Sequence, residues 1–225
     1  MGKHYVPLRK VFEGIYTDEK ELYTKNLARG QRVYGEKLFI EGTEEYRAWN
    51  PNRSKYAAAL KNGLQENIFF AGQKVLYLGS AEGTTMSHVS DLVGEKGMVL
   101  GVDVSEIAMM KLIDLAETRK NIFPILADAE QTDQYKEYMG GDVDAMFQDI
   151  AQRNQAEIFV KNARFLKKKG LAAIAIKTKS ISQSKKKEDV LAEEKKELKK
   201  AFDVLQVVSL EPYEKSHYLL LLKKK

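Results

Sequence analysis

Residues 75–85 read VLYLGSAEGTT, and the fold turns on how that stretch is taken. The apolar run 75–78 predicts a strand, Gly79 ends it, and Gly83 with Thr84 and Thr85 predicts the start of a helix. Glycine at a strand's carboxyl end lets a ligand approach the backbone, and threonines at a helix start offer hydroxyl and N–H groups. The spacing is G-x-x-x-G, not the G-x-G-x-x-G of dinucleotide binders. Taken alone, two glycines more commonly mark a turn that holds nothing.

The alternation continues on the C-terminal side. After the strand 74–79 and the helix 84–94 come a strand at 98–104, a helix opened by Ser105, a strand at 122–128 and a strand at 143–150. Lys111, Asp114 and Glu117 line one side of the Ser105 helix, with apolar residues elsewhere. A helix over 155–168 gathers Ile158, Phe159, Ala163 and Leu166 on one face. A fifth strand at 171–178, a lysine-rich loop and helix at 186–201, and two closing strands follow. Short apolar strands alternating with amphipathic helices predict an α/β fold, a mostly parallel Rossmann-like sheet with helices on both faces. Near-continuous apolar runs fit strands buried on both sides. The link between the last two strands is too short for a parallel crossover, so the last strand is expected to be antiparallel.

Residues 1–53 read differently. Segments such as RVYGEKLFIEG, rich in Tyr, Glu, Lys and Gly, predict a small N-terminal β module. A bridging helix at 54–64 (SKYAAALKNGL) opens the second domain, 54–225.

The composition narrows the chemistry. In 225 residues there is no cysteine, so no disulfide and no thiolate nucleophile or metal ligand is available. Three histidines, His4, His88 and His217, are scattered without metal-ligand spacing, and no metal is expected. No apolar run approaches the ~20 residues of a membrane span. The segment MGKHYVPLRK lacks the apolar stretch of a signal peptide, and a reducing cytoplasm is the expected location. The net charge of +5, with lysines crowding the second half, makes a phosphate-bearing partner plausible.

Three acids sharpen the reading of the glycine turn: Asp103 after strand two, Asp128 after strand three and Asp149 after strand four. In an open parallel sheet, ligands sit beyond the carboxyl ends of the strands, so all three are expected at one rim. An acid after strand two suits ribose hydroxyls, and one after strand three can accept from the amine of adenine. Two phosphates would want fewer carboxylates nearby, whereas a sulfonium and an ammonium suit them. S-adenosylmethionine is therefore favoured over a nicotinamide dinucleotide.

At these residues the chain resembles the fibrillarin family, the guide-RNA-dependent ribose 2′-O-methyltransferases of C/D-box ribonucleoproteins. The resemblance rests on VLYLGSAEGTTMSHVSDLVG, on DIAQRNQ at 149–155, on AIKT around Lys177 and on NPNRSK at 50–55. It extends to RVYGEKL and LEPYEKSHYLL, and the lack of a Gly/Arg-rich N-terminal tail resembles the archaeal form. It implies a class I methyltransferase whose donor is held by Gly79, Gly83, Thr84, Thr85, Asp103, Val104, Asp128, Ala129, Asp149, Ile150, Ala151 and Gln152. The family's catalytic Lys-Asp-Lys-His set maps onto Lys55, Asp149, Lys177 and His217. Glu82 and Asp103 depart from the family's usual small residue and glutamate. Partners implied are a C/D-box guide RNA, target rRNA or tRNA, a Nop-type coiled-coil scaffold protein and a kink-turn-binding ribosomal-type protein.

The chemistry implied is an in-line displacement of a methyl group onto a ribose hydroxyl, where alignment alone can lower the barrier by roughly 7–11 kcal/mol. Lys177 would handle the hydroxyl, as an ammonium steadying the alkoxide or as a base freed of its proton by burial, while Asp149 orients it. Lys55 and His217 would tune charge and position the ribose. Arg53, Lys179, Lys185, Lys186 and Lys187 are expected to contact RNA phosphates. Three alternatives stay open at this point: an NAD-dependent oxidoreductase, a scaffold with a relic pocket, and a methyltransferase acting on protein glutamine.

Overall fold

The computed structural model describes residues 7–225; His4 and the start of the expected β module lie outside the described residues. Five short strands come first: β1 (Arg9–Phe12), β2 (Ile15–Thr17), β3 (Leu22–Lys25), β4 (Leu38–Glu41) and β5 (Glu44–Trp49). They form an antiparallel sheet in the order β1-β2-β3-β5-β4. Ser54 then caps α1 (Lys55–Lys61) by accepting from the Ala57 N–H.

The remaining elements are β6 (Lys74–Leu78), α2 (Thr84–Val93), β7 (Met98–Asp103), α3 (Glu106–Thr118), β8 (Ile122–Leu126), β9 (Val143–Gln148), α4 (Gln155–Asn162), β10 (Leu166–Lys177), α5 (Thr178–Ile181), α6 (Lys187–Leu198), β11 (Phe202–Ser209) and β12 (His217–Lys224). They build a seven-stranded sheet in the order β11-β12-β10-β9-β6-β7-β8. Strands β10, β9, β6, β7 and β8 pair in parallel, and β12 runs antiparallel to both β10 and β11. This is the expected Rossmann-like topology with its antiparallel last strand.

Period-two alternation sends the side chains of a strand to opposite faces. Val75 and Tyr77 of β6 join Tyr56, Val89, Val93 and Leu112 in one apolar layer, under α1, α2 and α3. Leu76 and Leu78 join Ile158, Phe159 and Leu198 in the other, under α4 and α6. The N-terminal sheet adds Ile15, Leu22 and Trp49 to the first layer.

Buried charges bind the two sheets together. Asp91 on α2 holds Arg119 (Nη1 to Oδ1, 2.6 Å) and Arg47 of β5 (Nε to Oδ2, 3.3 Å). It also accepts the Thr24 hydroxyl at 2.7 Å. That hydroxyl's one proton is thereby used, so His88 Nδ1–H donates to the Thr24 oxygen, 2.8 Å away. His88 is fully buried, and burial, with Arg47 and Arg119 nearby, pushes its pKa well below 6.5.

Four local differences from the sequence reading have physical causes. Helix α4 stops at Asn162 and not at 168, because Ala163–Phe165 tightens into a 3-10 turn and Leu166 pairs with Val143 of β9. Strand β8 is not buried on both faces: it is an edge strand, with Phe123 and Leu126 exposed. On α3 the buried side is only Met109 and Leu112, and the apolar residues Ile107, Met110 and Ile113 face outward. The stretch after Lys177 is not loop throughout: it begins with the single turn α5.

Candidate functional site

Parallel strands deliver their carboxyl ends to one edge, and this sheet's order places the predicted residues along that edge. Lys177 ends β10, Asp149 follows β9, Gly79 follows β6 and Asp103 ends β7. Because β12 is antiparallel, its first residue reaches the same edge, and His217 pairs with Lys177 in register. The chain leaves β6 toward β7 on one side and reaches β9 on the other, so Gly79 and Asp149 flank the point where strand order reverses.

A cleft of about 250 Å³ opens there. Its walls include Gly79, Asp103, Val104, Ala129, Asp149, Ile150, Ala151 and Gln152, all expected from the sequence. Gly79 has φ +77°, and a Cβ on it would collide with the Asp149 carbonyl oxygen, so glycine is needed for Asp149 to approach. The Asp149 N–H donates to the Leu78 carbonyl at 2.9 Å, which fixes the two strand ends together.

Asp103 accepts the Ala81 N–H on Oδ2 (2.8 Å) and the Ser105 N–H on Oδ1 (2.9 Å). It thus ties the glycine turn to the start of α3. Each carboxylate oxygen retains further acceptor capacity for a hydroxyl. The lining combines two carboxylates, Asp103 and Asp149, with apolar Val102, Val104 and Ile150 and contains no lysine or arginine. That donor set fits a flat base, a ribose with its hydroxyls and a cationic centre, as in S-adenosylmethionine. A pyrophosphate would meet two carboxylates, of which only Asp149 is paired with a cation, Lys55.

The remaining expected cofactor residues lie outside this lining. Gly83 (φ +85°) is the residue before α2, and a Cβ there would meet Leu115 and Leu112 of α3, so its smallness serves helix packing. Thr84 begins α2, and the buried Thr85 donates its hydroxyl to Ser54 Oγ at 3.0 Å. Asp128 spends its carboxylate on a local turn, accepting the Glu130 N–H at 2.9 Å, while its neighbours Ala127 and Ala129 face the cleft.

The catalytic candidates converge. Lys55, first residue of α1, donates Nζ–H to Asp149 Oδ2 at 2.8 Å, with both side chains mostly shielded from solvent. His217 donates Nδ1–H to the Lys215 carbonyl at 2.8 Å, which leaves Nε2 as the acceptor of the neutral ring. Burial first, with the Lys55 charge adding to it, lowers the His217 pKa below 6.5. Lys177 Nζ has no hydrogen bond or ion pair among the described residues.

The expected phosphate contacts divide. Arg53 is exposed and lies 5.4 Å from the centre of the Tyr34 ring. Lys179 lies beside Lys177 in a second cleft. Lys185 and Lys187 are held by Glu193 (2.6 Å) and Glu211 (3.4 Å), whereas Lys186 is exposed.

One buried residue was not singled out from the sequence. The Gln155 side chain accepts the Lys177 N–H on Oε1 (3.0 Å) and donates through Nε2 to the Gln152 carbonyl (2.7 Å). It joins the loop lining the cleft to the strand end that carries Lys177. Its neighbour Gln148 donates to the Gln155 carbonyl at 2.8 Å. The available signal was a pair of glutamines flanking the loop between strand four and its helix, where apolar residues would be ordinary.

Sheet order, helices on both faces and an acid-lined cleft at the reversal point define the Rossmann-like fold of class I S-adenosylmethionine methyltransferases. Within that class the chain belongs to the fibrillarin family: the family model described as Fibrillarin matches residues 6–225. A relative from Thermococcus sibiricus, named fibrillarin-like rRNA/tRNA 2′-O-methyltransferase, is 45% identical over 219 residues, covering 95% of this chain and 96% of its own. The crystal structure of Aeropyrum pernix fibrillarin with natively bound S-adenosyl-L-methionine superposes with TM-score 0.86 and 40% identity, covering 97% of this chain and all of that one (100%). A fibrillarin/Nop5p complex matches with TM-score 0.86 and 36% identity, over 96% of this chain and 100% of that one. Among the described residues no helix is long and apolar enough to cross a membrane.

Proposed function

We propose that the chain transfers a methyl group from S-adenosylmethionine to ribose 2′-hydroxyls of rRNA and tRNA, as the catalytic subunit of a guide-RNA-directed C/D-box ribonucleoprotein. One observation carries the reading: the acid-lined cleft and the partner-free Lys177 meet on the same sheet edge, with Asp149 between them. The relatives' names and the donor-bound neighbour support it.

When bound, the cofactor supplies a methyl group activated on a sulfonium. The chain's residues bind, orient and move a proton. Asp103 accepts from hydroxyls of the donor's ribose, Val104 and Ile150 flank its base, and the loop 149–152 closes on the remainder. Gly79 keeps Asp149 against that loop, and the Gly83-Thr84-Thr85 turn and the turn at Asp128 and Ala129 shape the cleft's ends. Lys177 faces the target 2′-hydroxyl and steadies its oxygen as the proton leaves. Asp149, held by Lys55, orients that hydroxyl, and the neutral His217 ring offers Nε2 beside it. Arg53, Lys179 and Lys186 contact RNA phosphates, positioning the strand without reading it; Lys185 and Lys187 do so after exchanging their glutamate partners.

In this reading residues 1–53 form a β module and 54–225 the catalytic domain. A Nop-type scaffold protein docks the chain, a kink-turn-binding protein anchors the particle, the guide RNA selects the nucleotide, and the particle works in the cytoplasm. The test is reconstitution of the complete particle with labelled donor, with and without guide RNA. Label on one ribose 2′-oxygen, present only with the guide, is the expected result. A complete particle that transfers nothing would instead mark the chain as a scaffold.

A further inference from the structure

Two clefts of opposite character meet at Ala151. The donor cleft carries Asp103 and Asp149 and no cation. The second, of about 800 Å³, is lined by Arg153, Lys177 and Lys179 together with Ser180, Ser182 and Ser184, and no carboxylate lines it.

These cations differ from most others near the rim. Arg153 is exposed, and neither its guanidinium nor Lys177 Nζ has a hydrogen bond or ion pair among the described residues. Lys179 Nζ reaches only the Gln183 carbonyl, at 3.5 Å. By contrast Lys55, Lys185 and Lys187 each have a carboxylate partner. Charges gathered around a polar hollow without acids suit an anionic ligand that carries several acceptor oxygens. Arginine's planar fork and serine hydroxyls match phosphate oxygens in particular.

Nucleic-acid chemistry says which phosphate. The 2′-hydroxyl and the 3′-phosphate ester sit on adjacent carbons of one ribose. Resting on the function proposed above, in which Lys177 faces the 2′-hydroxyl, that phosphate falls beside Lys177 in the cleft Lys177 itself lines. We propose that the Arg153–Lys179 cleft binds the phosphodiester on the 3′ side of the nucleotide being methylated. Arg153 and Lys179 are its ligands, and the serines offer further donors. The sheet edge is thereby divided: the cationic donor enters between carboxylates, the polyanionic acceptor between cations, and each is repelled from the other's cleft.

The experiment is single-turnover methylation in the reconstituted particle, with target concentration and salt varied. Arg153→Ala and Lys179→Ala each raise the half-saturating target concentration about tenfold, and each lowers the slope of log affinity against log salt by about 1. Donor affinity stays as in the wild type, and the exposed Lys200→Ala serves as control. A second arm keeps the wild-type protein and replaces the 3′ linkage of the target nucleotide by an uncharged methylphosphonate. This raises half-saturation to the same degree, and combining it with Arg153→Ala adds little, because both remove one interaction. The same change at the 5′ linkage has a smaller effect. Wild-type transfer indifferent to the charge of the 3′ linkage, or to loss of both Arg153 and Lys179, overturns the inference and leaves the methyltransferase reading standing. Failure of the wild-type particle to transfer at all would strike that reading instead.

Discussion

Gly79 and Asp149 are packed so closely that neither strand end tolerates an added methyl group between them. At φ +77°, a Cβ on Gly79 would collide with the Asp149 carbonyl oxygen and crowd the Ile150 side chain. Gly79→Ala is expected to cost about 1–3 kcal/mol from the left-handed backbone alone. The displacement of Asp149 should also lower donor affinity at least tenfold, the effect of about 1.4 kcal/mol. Gly83→Ala shares the positive φ, but its Cβ meets only the ends of the Leu115 and Leu112 side chains. It should lose stability while keeping more of its affinity. Calorimetric titration with donor, alongside urea unfolding, separates the two; equal loss of affinity in both would refute the distinction.

Lys177→Ala is expected to lower transfer by roughly 10²–10⁴, the usual worth of a proton-handling side chain. Lys177 is not among the cleft's lining residues, so donor binding should persist. A parallel loss of binding and transfer would reassign Lys177 to the cofactor site or to folding.

Gln155 supports Lys177 through its main chain, accepting its N–H and also donating to its carbonyl at 3.4 Å, and Gln155→Leu removes these and the bond to Gln152 with little change in volume. Leaving the half-buried Lys177 N–H without its acceptor should destabilise the chain by about 1 kcal/mol, whereas the exposed Gln152 can turn its carbonyl to water. The saturated transfer rate should fall at least tenfold, about 1.36 kcal/mol of barrier. Gln155→Glu keeps an acceptor for the Lys177 N–H while setting an oxygen against the Gln152 carbonyl, and should recover part of the rate. Lower melting temperature with a wild-type saturated rate in Gln155→Leu would show that Gln155 serves folding alone.

Both described histidines have folded pKa values below 6.5, chiefly from burial. Between 6.5 and those lower values the unfolded chain binds protons that the native chain does not. Their contribution to stability is therefore complete above pH 6.5 and is lost as pH falls, by up to about 1.4 kcal/mol per pH unit for each histidine. His88→Gln should flatten the slope of unfolding free energy between pH 5.5 and 6.5 in urea. An unchanged slope would mean that His88 binds its proton in the folded chain.

Legibility in the sequence followed the range of the interactions. The strands and the rim were readable because each depends on a local pattern: an apolar run, a glycine, then an acid. The antiparallel β12 followed from the length of one connection. Less visible were the features set by partners distant in sequence. Nothing near Phe123 or Leu126 says that β8 is an edge, because strand order is a property of the whole sheet. Leu166 continues the helical face of α4, yet its pairing with Val143 draws it into β10. That Thr85 donates its hydroxyl to Ser54, 31 residues away, depends on α1 lying beside α2. Gln155 is 22 residues from Lys177, and only the fold brings its amide to that backbone. The carboxylate partners of Lys185 and Lys187 were not legible, because Glu193 and Glu211 reach them from α6 and from the segment after β11.

The most direct measurement is a crystal structure of the chain with S-adenosylmethionine. The expected result has the ligand in the cleft bounded by Gly79, Asp103 and the loop 149–152, its methyl group directed toward Lys177. An empty cleft at saturating ligand, or the ligand bound elsewhere on the chain, would contradict the account.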